Sequence, residues 1–513
     1  MQTSTDNPDT PRQHRVIIIG AGLGGLATAA RLKMHGHSDL VILDRGSSVG
    51  GVWRANTYPN AACDTPVELY SFTFFKKSNW SSNFAPWNEI LGYAEDLARS
   101  FDLEKHLELN TEIASAHWDD DVQQWHVRSV DGRAWIAEFL VWAGGLFSQP
   151  LIPDFPGMST YRGTVIHTAR WDSKVDLTKR TVAVVGAGAS SIQVIPYAAE
   201  HAKQLYAFIR TPSHVLPKPE VHYAPEDWQR FSSDPASQAE LRQKWTEHFE
   251  KLAASRFPMN DALISEQETM WRDFINREVV DADLRELLTP RYRFGCRRPL
   301  VSNAYYKSLT APHVRVFATG IKDLDETGVV TSDGEHLDVD VVILATGFRT
   351  AGMLGNLDIR GRAETSLQQQ WGDVPQAYLG MLVQGFPNFF MIIGPNALTA
   401  SVSSIVEAQS EYIAACIDLV RSKGVGSVEV PTEVQDEFNK DVRQRSNASV
   451  MVQGGCESYY RSGGNGTVFT HWPGTSRSYQ EAVAQVRSQD LVWRGRPAKA
   501  NDVHDEAQVE TKC

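Results

Sequence analysis

The chain has 513 residues, 42% hydrophobic and 22% charged, an ordinary balance for a globular protein with more than one domain. Its net charge of -12 argues against a nucleic-acid binder or a protein held on an anionic membrane. No window approaches the ~18 apolar residues of a membrane span, and the polar start MQTSTDNPDTPRQ has no apolar signal core, so a cytoplasmic protein is expected.

A polar tail is expected over residues 1–14. The short β-branched run Val16–Ile19 then reads as a buried parallel strand. It feeds GAGLGG, a helical pattern that stops at Gly36, and a second strand LVILD. The turn Gly20-x-Gly22-x-x-Gly25 has the spacing that permits a tight turn, close approach of backbone to a pyrophosphate, and helix–strand packing. Asp44 ends the second strand about 20 residues on, where a carboxylate reaches ribose hydroxyls.

The pattern recurs at RTVAVVGAGASSIQVIPYAAEHAKQLYAFIR, with Gly186-x-Gly188-x-x-Ser191 as the turn. Serine in the last position is expected to hold the helix slightly farther from the strand. At the offset of Asp44 this unit carries Arg210, followed by Thr211. A guanidinium there clamps a 2′-phosphate that an acid would repel. The first site therefore reads as FAD-binding and the second as NADPH-binding.

Residues 217–292 are charged and amphipathic, a helical insertion. A third strand, VDVVILATGF, follows at Val339–Phe348. FPNFFMIIGPN reads as a buried strand, and SSIVEAQSEYIAACIDLVRSKG as a long helix with Gly424 past its end. The expected fold is α/β with two Rossmann-like dinucleotide-binding domains. The FAD domain takes residues 15–150 and 350–494, the NADP domain 151–349 with its insertion, and a disordered tail 495–513.

Cys63, Cys296, Cys416, Cys456 and Cys513 are scattered without CxxC spacing and are read as free thiols. A disulfide framework, a dithiol redox centre and a metal site are not expected. Electrons passing from NADPH to FAD then have dioxygen as the acceptor.

Four stretches resemble type I Baeyer–Villiger monooxygenases, class B flavin-dependent monooxygenases. GGVWRANTYPNAACD is similar to the family's long fingerprint through Gly50, Gly51, Trp53, Tyr58, Pro59 and Asp64; Asn60 departs from the usual Gly or Met. YRGTVIHTARWD, residues 161–172, resembles a second fingerprint, with Tyr161 where Phe is usual. LATGF, residues 344–348, resembles the segment returning the chain to the flavin domain. The resemblance places Gly51, Trp53 and Asp64 at the flavin. It places His167 in a hinge between the two domains, where it helps position the cofactor. In RYRFGCRRPLVSNAYY it implies Arg298 over the flavin, held by Asp64, and Arg297 at the NADP phosphate.

The activity so implied is NADPH- and FAD-dependent insertion of one oxygen atom from O2 beside a ketone carbonyl, through a C4a-peroxyflavin, giving an ester or lactone. The partners expected are a small ketone and O2, with no nucleic acid and no membrane. A flavin monooxygenase oxidising nitrogen or sulfur is the nearest rival. A non-catalytic FAD-binding protein is a more distant one, disfavoured by two turns with opposite charge at the ribose end.

Overall fold

The computed structural model describes residues 10–496. β1 (Arg12–Ile19) opens the chain and leads through the first glycine-rich turn into α1 (Leu23–Met34) and β2 (Leu40–Leu43). β3 (Leu107–Glu108), β4 (Ile113–Asp119), β5 (Gln124–Ser129) and β6 (Ala134–Trp142) complete the first half of the chain's larger sheet. Two later strands, Asp358–Arg360 and Phe389–Met391, join it. The order is Asp358–Arg360, β4, β5, β6, β1, β2, β3, with Phe389–Met391 paired to β6.

β6 shows how one strand serves two environments. Its first half pairs antiparallel with β5 and alternates in burial; Phe139–Trp142 pair with β1, the last three of them also with Phe389–Met391, and are buried throughout. Alternation is the mark of a half-covered antiparallel pair, a continuous apolar run that of a parallel centre. Val16, Ile17 and Ile18 of β1 are wholly buried between these layers, Val16 and Ile18 toward α1 and the helix Val402–Ser422.

The first strand begins earlier than residue 15. Arg12–His14 continue the pairing opposite Trp135–Ala137, so the expected tail over 1–14 ends before Arg12. Their polarity hid them, because the strand's exposed end needs no apolar face. At the other end Val492–Gly495 pairs antiparallel with Val425–Glu429, so Gly495 is strand rather than tail. The remainder of both expected tails, 1–9 and 497–513, lies outside the described residues.

The second sheet is parallel throughout: β7 (Thr164–His167), β8 (Thr181–Val185), α2 (Ala189–His201), β9 (Gln204–Phe208), β10 (Val314–Phe317) and β11 (Val341–Leu344). Strand order is β10, β9, β8, β11, β7. The segment 217–292 carries four helices, Pro225–Ser233, Pro235–Arg256, Asp261–Glu278 and Ala282–Leu287. Ile264, Trp271, Phe274 and Ile275 pack into the core of the second sheet.

The chain crosses between the sheets twice, and the two crossings pair with each other. Leu151 donates its amide to the Gly347 carbonyl, and Arg349 donates to that of Gln149. Within the stretch 161–172, β7 pairs in register with β11 and Tyr161 donates its hydroxyl to the Val339 carbonyl, so its first half is part of the second sheet. Its β-branched residues mark a strand only once β11 lies beside them. The two crossings between the sheets run side by side at 149–151 and 347–349.

Cys296 and Cys456 form a disulfide across 160 residues of sequence, correcting the reading of all cysteines as thiols. Local spacing could not reveal it, because the fold alone brings these residues together. Cys63 and Cys416 are free and buried.

Candidate active site

Both glycine-rich turns open on one cleft of about 2140 Å³, between the two sheets and under the helical insertion. Gly20, Gly22, Gly51, Trp53, Asp44 and Asp64 line it from one side; Gly186, Gly188, Arg210 and Thr211 line it from the other, with Arg297 and Arg298 between.

The glycines divide by task. A Cβ at Gly20 would stand 2.5 Å from the Ala143 carbonyl oxygen, and one at Gly25 would stand 1.9 Å from that of Gly20. These two let the turn and helix close on the strand. A Cβ at Gly22 would meet only the Gly51 Cα, at 3.6 Å, and one at Gly188 would meet nothing within 4 Å. These two keep the backbone bare toward the cleft. Both helices begin there without a side-chain cap, so their first-turn amides are left for an anion. The two cradles therefore fit two dinucleotide pyrophosphates.

Gly25 and Ser191 do not line the cleft; they lie behind it. Ser191 is fully buried and donates its hydroxyl to the Gly186 carbonyl at 2.7 Å. A hydrogen bond thus replaces the contact that Gly25 makes by having no side chain. Asp44 accepts from the Ala21 and Gly46 amides at 2.7 Å each, which fixes its carboxylate at the end of β2. Asn60, which departs from the fingerprint, has φ 64, a left-handed conformation asparagine tolerates.

Arg298 donates from Nη2 to Asp64 Oδ1 at 2.6 Å, and its guanidinium has no other hydrogen bond among the described residues. The Asp64 carboxylate holds the Arg298 pKa above its ordinary value, so the group is a permanent cation. Beside the pair, Trp53 donates its indole N–H to the Tyr70 hydroxyl at 2.8 Å. Arg297 points elsewhere: its Nε donates to the Glu457 carbonyl at 2.7 Å, and its guanidinium lies 5.5 Å from the Tyr292 ring centre. Tyr292 in turn donates to the Pro212 carbonyl, next to Thr211. Arg297 thus neighbours the loop that carries Arg210, which is exposed.

His167 stands behind the cleft rather than in its wall. It ends β7, accepts the Ala169 amide on Nδ1 at 3.1 Å, and packs edge-on to Phe348 in the second crossing. Burial holds its imidazole below the usual histidine range.

Residues that motif reading did not single out close the site from the C-terminal side. Tyr459, Tyr460, His471 and Trp472 line the cleft, and the disulfide at Cys456 with the Arg297–Glu457 bond staples their segment to the arginine loop. Burial, aided by the charges of Arg256 and Arg298, pushes the His471 pKa down to about 3, so this ring is neutral. The Gly-rich SGGNGTVFTHWPG was the one available signal for this segment. Among the described residues no group of His, Cys, Asp or Glu could hold a metal ion, and no helix is long and apolar enough to cross a membrane.

Comparison with known proteins gives the same picture. The flavin-binding monooxygenase-like family model matches residues 13–354. The chain is 34% identical to a Baeyer–Villiger monooxygenase of Streptomyces coelicolor over 505 residues, 96% of each protein. A closed crystal structure of cyclohexanone monooxygenase superposes with a TM-score of 0.86 at 27% identity, covering 95% of this chain and all of the other. Oxidized steroid monooxygenase bound to NADP superposes with a TM-score of 0.83 at 29% identity, covering 94% of this chain and 99% of the other. With two nucleotide cradles and an arginine–aspartate pair between them, the chain belongs to the flavin-binding monooxygenase-like family, among its Baeyer–Villiger monooxygenases.

Proposed function

We propose that this protein is an NADPH- and FAD-dependent Baeyer–Villiger monooxygenase that converts a small ketone to an ester or lactone with O2. The observation that carries the reading is Arg298, a permanent cation in the cleft between the two cradles, anchored to Asp64 through one nitrogen and otherwise unspent. When bound, the two cofactors supply the chemistry of dioxygen activation, with NADPH as the electron source.

The chain's own residues hold the reactants and the charge. Gly20 and Gly22 admit the FAD pyrophosphate to the start of α1, and Asp44 takes the ribose. Gly186 and Gly188 do the same for NADPH at α2, with Arg210, Thr211 and Arg297 on the 2′-phosphate. Arg298 stabilises negative charge as it develops on oxygen at the ketone carbon, and Asp64 fixes the angle of its guanidinium. The aromatic wall of Trp53, Tyr459, Tyr460 and Trp472 excludes water. His167 braces the second crossing through Phe348, which steadies the position of one cradle against the other.

The test has two stages. Anaerobic NADPH should bleach the flavin of the purified holoenzyme, and a ketone panel with O2 should then yield esters or lactones. No bleaching would leave a non-catalytic flavoprotein; bleaching with only N-oxides or sulfoxides formed would point to the oxygenating rival.

A further inference from the structure

Arg256 is the last residue of the insertion helix Pro235–Arg256, and its side chain reaches the cleft wall beside the arginine loop. It runs across Gly295: a Cβ built there would lie 3.2 Å from Arg256 Nε and 3.3 Å from Cγ. The glycine therefore leaves the space that the guanidinium stem uses. Nε is buried with no acceptor, and no hydrogen bond or ion pair of this guanidinium occurs among the described residues.

The other two arginines of this wall each have one partner, Arg298 the Asp64 carboxylate and Arg297 the Glu457 carbonyl. Of the carboxylates lining the cleft, Glu266 pairs with Lys251, Asp64 with Arg298 and Asp44 with Arg54, while Glu112 and Glu457 make no ion pair among the described residues and their charges do not reach Arg256. The groups whose fields reach Arg256 are Arg298, a like charge, and Tyr460, while His471 beside them is neutral. Burial and the Arg298 charge lower the Arg256 pKa to about 10, so the group stays charged near neutrality.

A buried cation without a counter-ion is costly, and the cost is relieved when an anion arrives from solution. The neighbouring Gln267 is neutral and supplies no counter-ion, and its free acceptor does not itself bind a carboxylate. Gln267 Oε1 is buried without a donor, and its Nε2 donates to the hydroxyl of Ser255, the residue before Arg256. Gln267 also lines the cleft.

We infer that Arg256 is a specificity-determining residue that binds a carboxylate carried by the ketone substrate away from the reacting carbonyl. The inference rests on the proposed activity for its substrate but not for its measurement. The preferred substrates are keto acids, and neutral ketones of the same skeleton bind more weakly, because they leave the guanidinium desolvated and unpaired.

The experiment uses the FAD-loaded enzyme with a homologous series of straight-chain methyl-ketone carboxylates and their methyl esters. Binding is measured by calorimetry without NADPH, and turnover as ester formed with NADPH and O2. At least one keto acid should bind about 10–100-fold tighter than its methyl ester. Arg256→Gln should abolish that preference while leaving affinity for the methyl ester within about threefold, and Arg256→Lys should keep part of it. Equal wild-type affinity for every acid and ester pair, or a preference that survives in Arg256→Gln, overturns the inference. Ketone oxygenation with no carboxylate preference would sink this inference alone. A carboxylate preference lost in Arg256→Gln, without any oxygenated product, would leave Arg256 as an anion site and remove the proposed activity.

Discussion

The coupling between Asp64 and Arg298 offers the sharpest test of the proposed chemistry. Removing a preorganised charge at an anionic transition state lowers the rate about 10²–10³-fold, roughly 3–4 kcal/mol, which is the loss expected for Arg298→Ala. Asp64 acts only by holding Arg298. Their bond is a single contact of 2.6 Å, with the side chains 43% and 25% exposed, so it belongs at the weak end of charge-assisted bonds. Asp64→Asn should therefore lose about 1–2 kcal/mol, or roughly 5–30-fold in ester formation. In the Arg298→Ala background the same change should lose almost nothing, because there is no guanidinium left to orient. The assay measures NADPH consumed, hydrogen peroxide released and ester formed. Hydride transfer depends on the nicotinamide and not on this pair, so NADPH consumption should persist and peroxide should rise in each variant. Additive losses in the double variant would refute the positioning role of Asp64. Well-coupled ester formation by Arg298→Ala would remove Arg298 from the chemistry.

Three other outcomes follow from the geometry. Arg210→Ala should lose roughly 1–3 kcal/mol in kcat/KM for NADPH and little for NADH; an unchanged preference between the two would exclude Arg210 from the phosphate site. His214 is buried against Trp271, Tyr292 and Phe294, and burial lowers its pKa to about 4. Below about pH 6.5 the unfolded chain takes up a proton that the folded chain refuses, so stability falls as pH drops, by about 1.4 kcal/mol per pH unit from this group. His214→Phe should flatten that limb of the denaturation free energy between pH 6.5 and 4.5, and an identical slope would refute the attribution. Replacing Cys296 and Cys456 together by Ala should destabilise the fold by about 2–5 kcal/mol, since the bond closes a long loop; a denaturation midpoint that does not move would show that the link contributes nothing.

Some parts of this molecule are written in local sequence. Gly20, Gly22, Gly25 and Asp44, with their echo at Gly186, Gly188 and Ser191, lie within single strand–turn–helix units, so spacing alone exposes them. The opposite charges of Asp44 and Arg210 likewise indicate which nucleotide each unit takes. The ends of the sheets were harder to see. Arg12–His14 are polar and become strand only by pairing with Trp135–Ala137, and the strand within 161–172 is defined only by β11 beside it.

By itself, then, the sequence determined the two nucleotide units and, through its fingerprints, the candidates Asp64 and Arg298. The tertiary structure alone decided that 234 residues of separation close to a 2.6 Å contact, that Cys296 meets Cys456, and that Arg256 has no counter-ion among the described residues. It also decided which wall Tyr459, Tyr460 and His471 occupy. The physical reason is range. Turns, helices and parallel strands follow from residues a few places apart, whereas a reactive cleft is made where distant segments meet. There, burial and the field of neighbouring charges, which no spacing rule carries, give each group its chemistry.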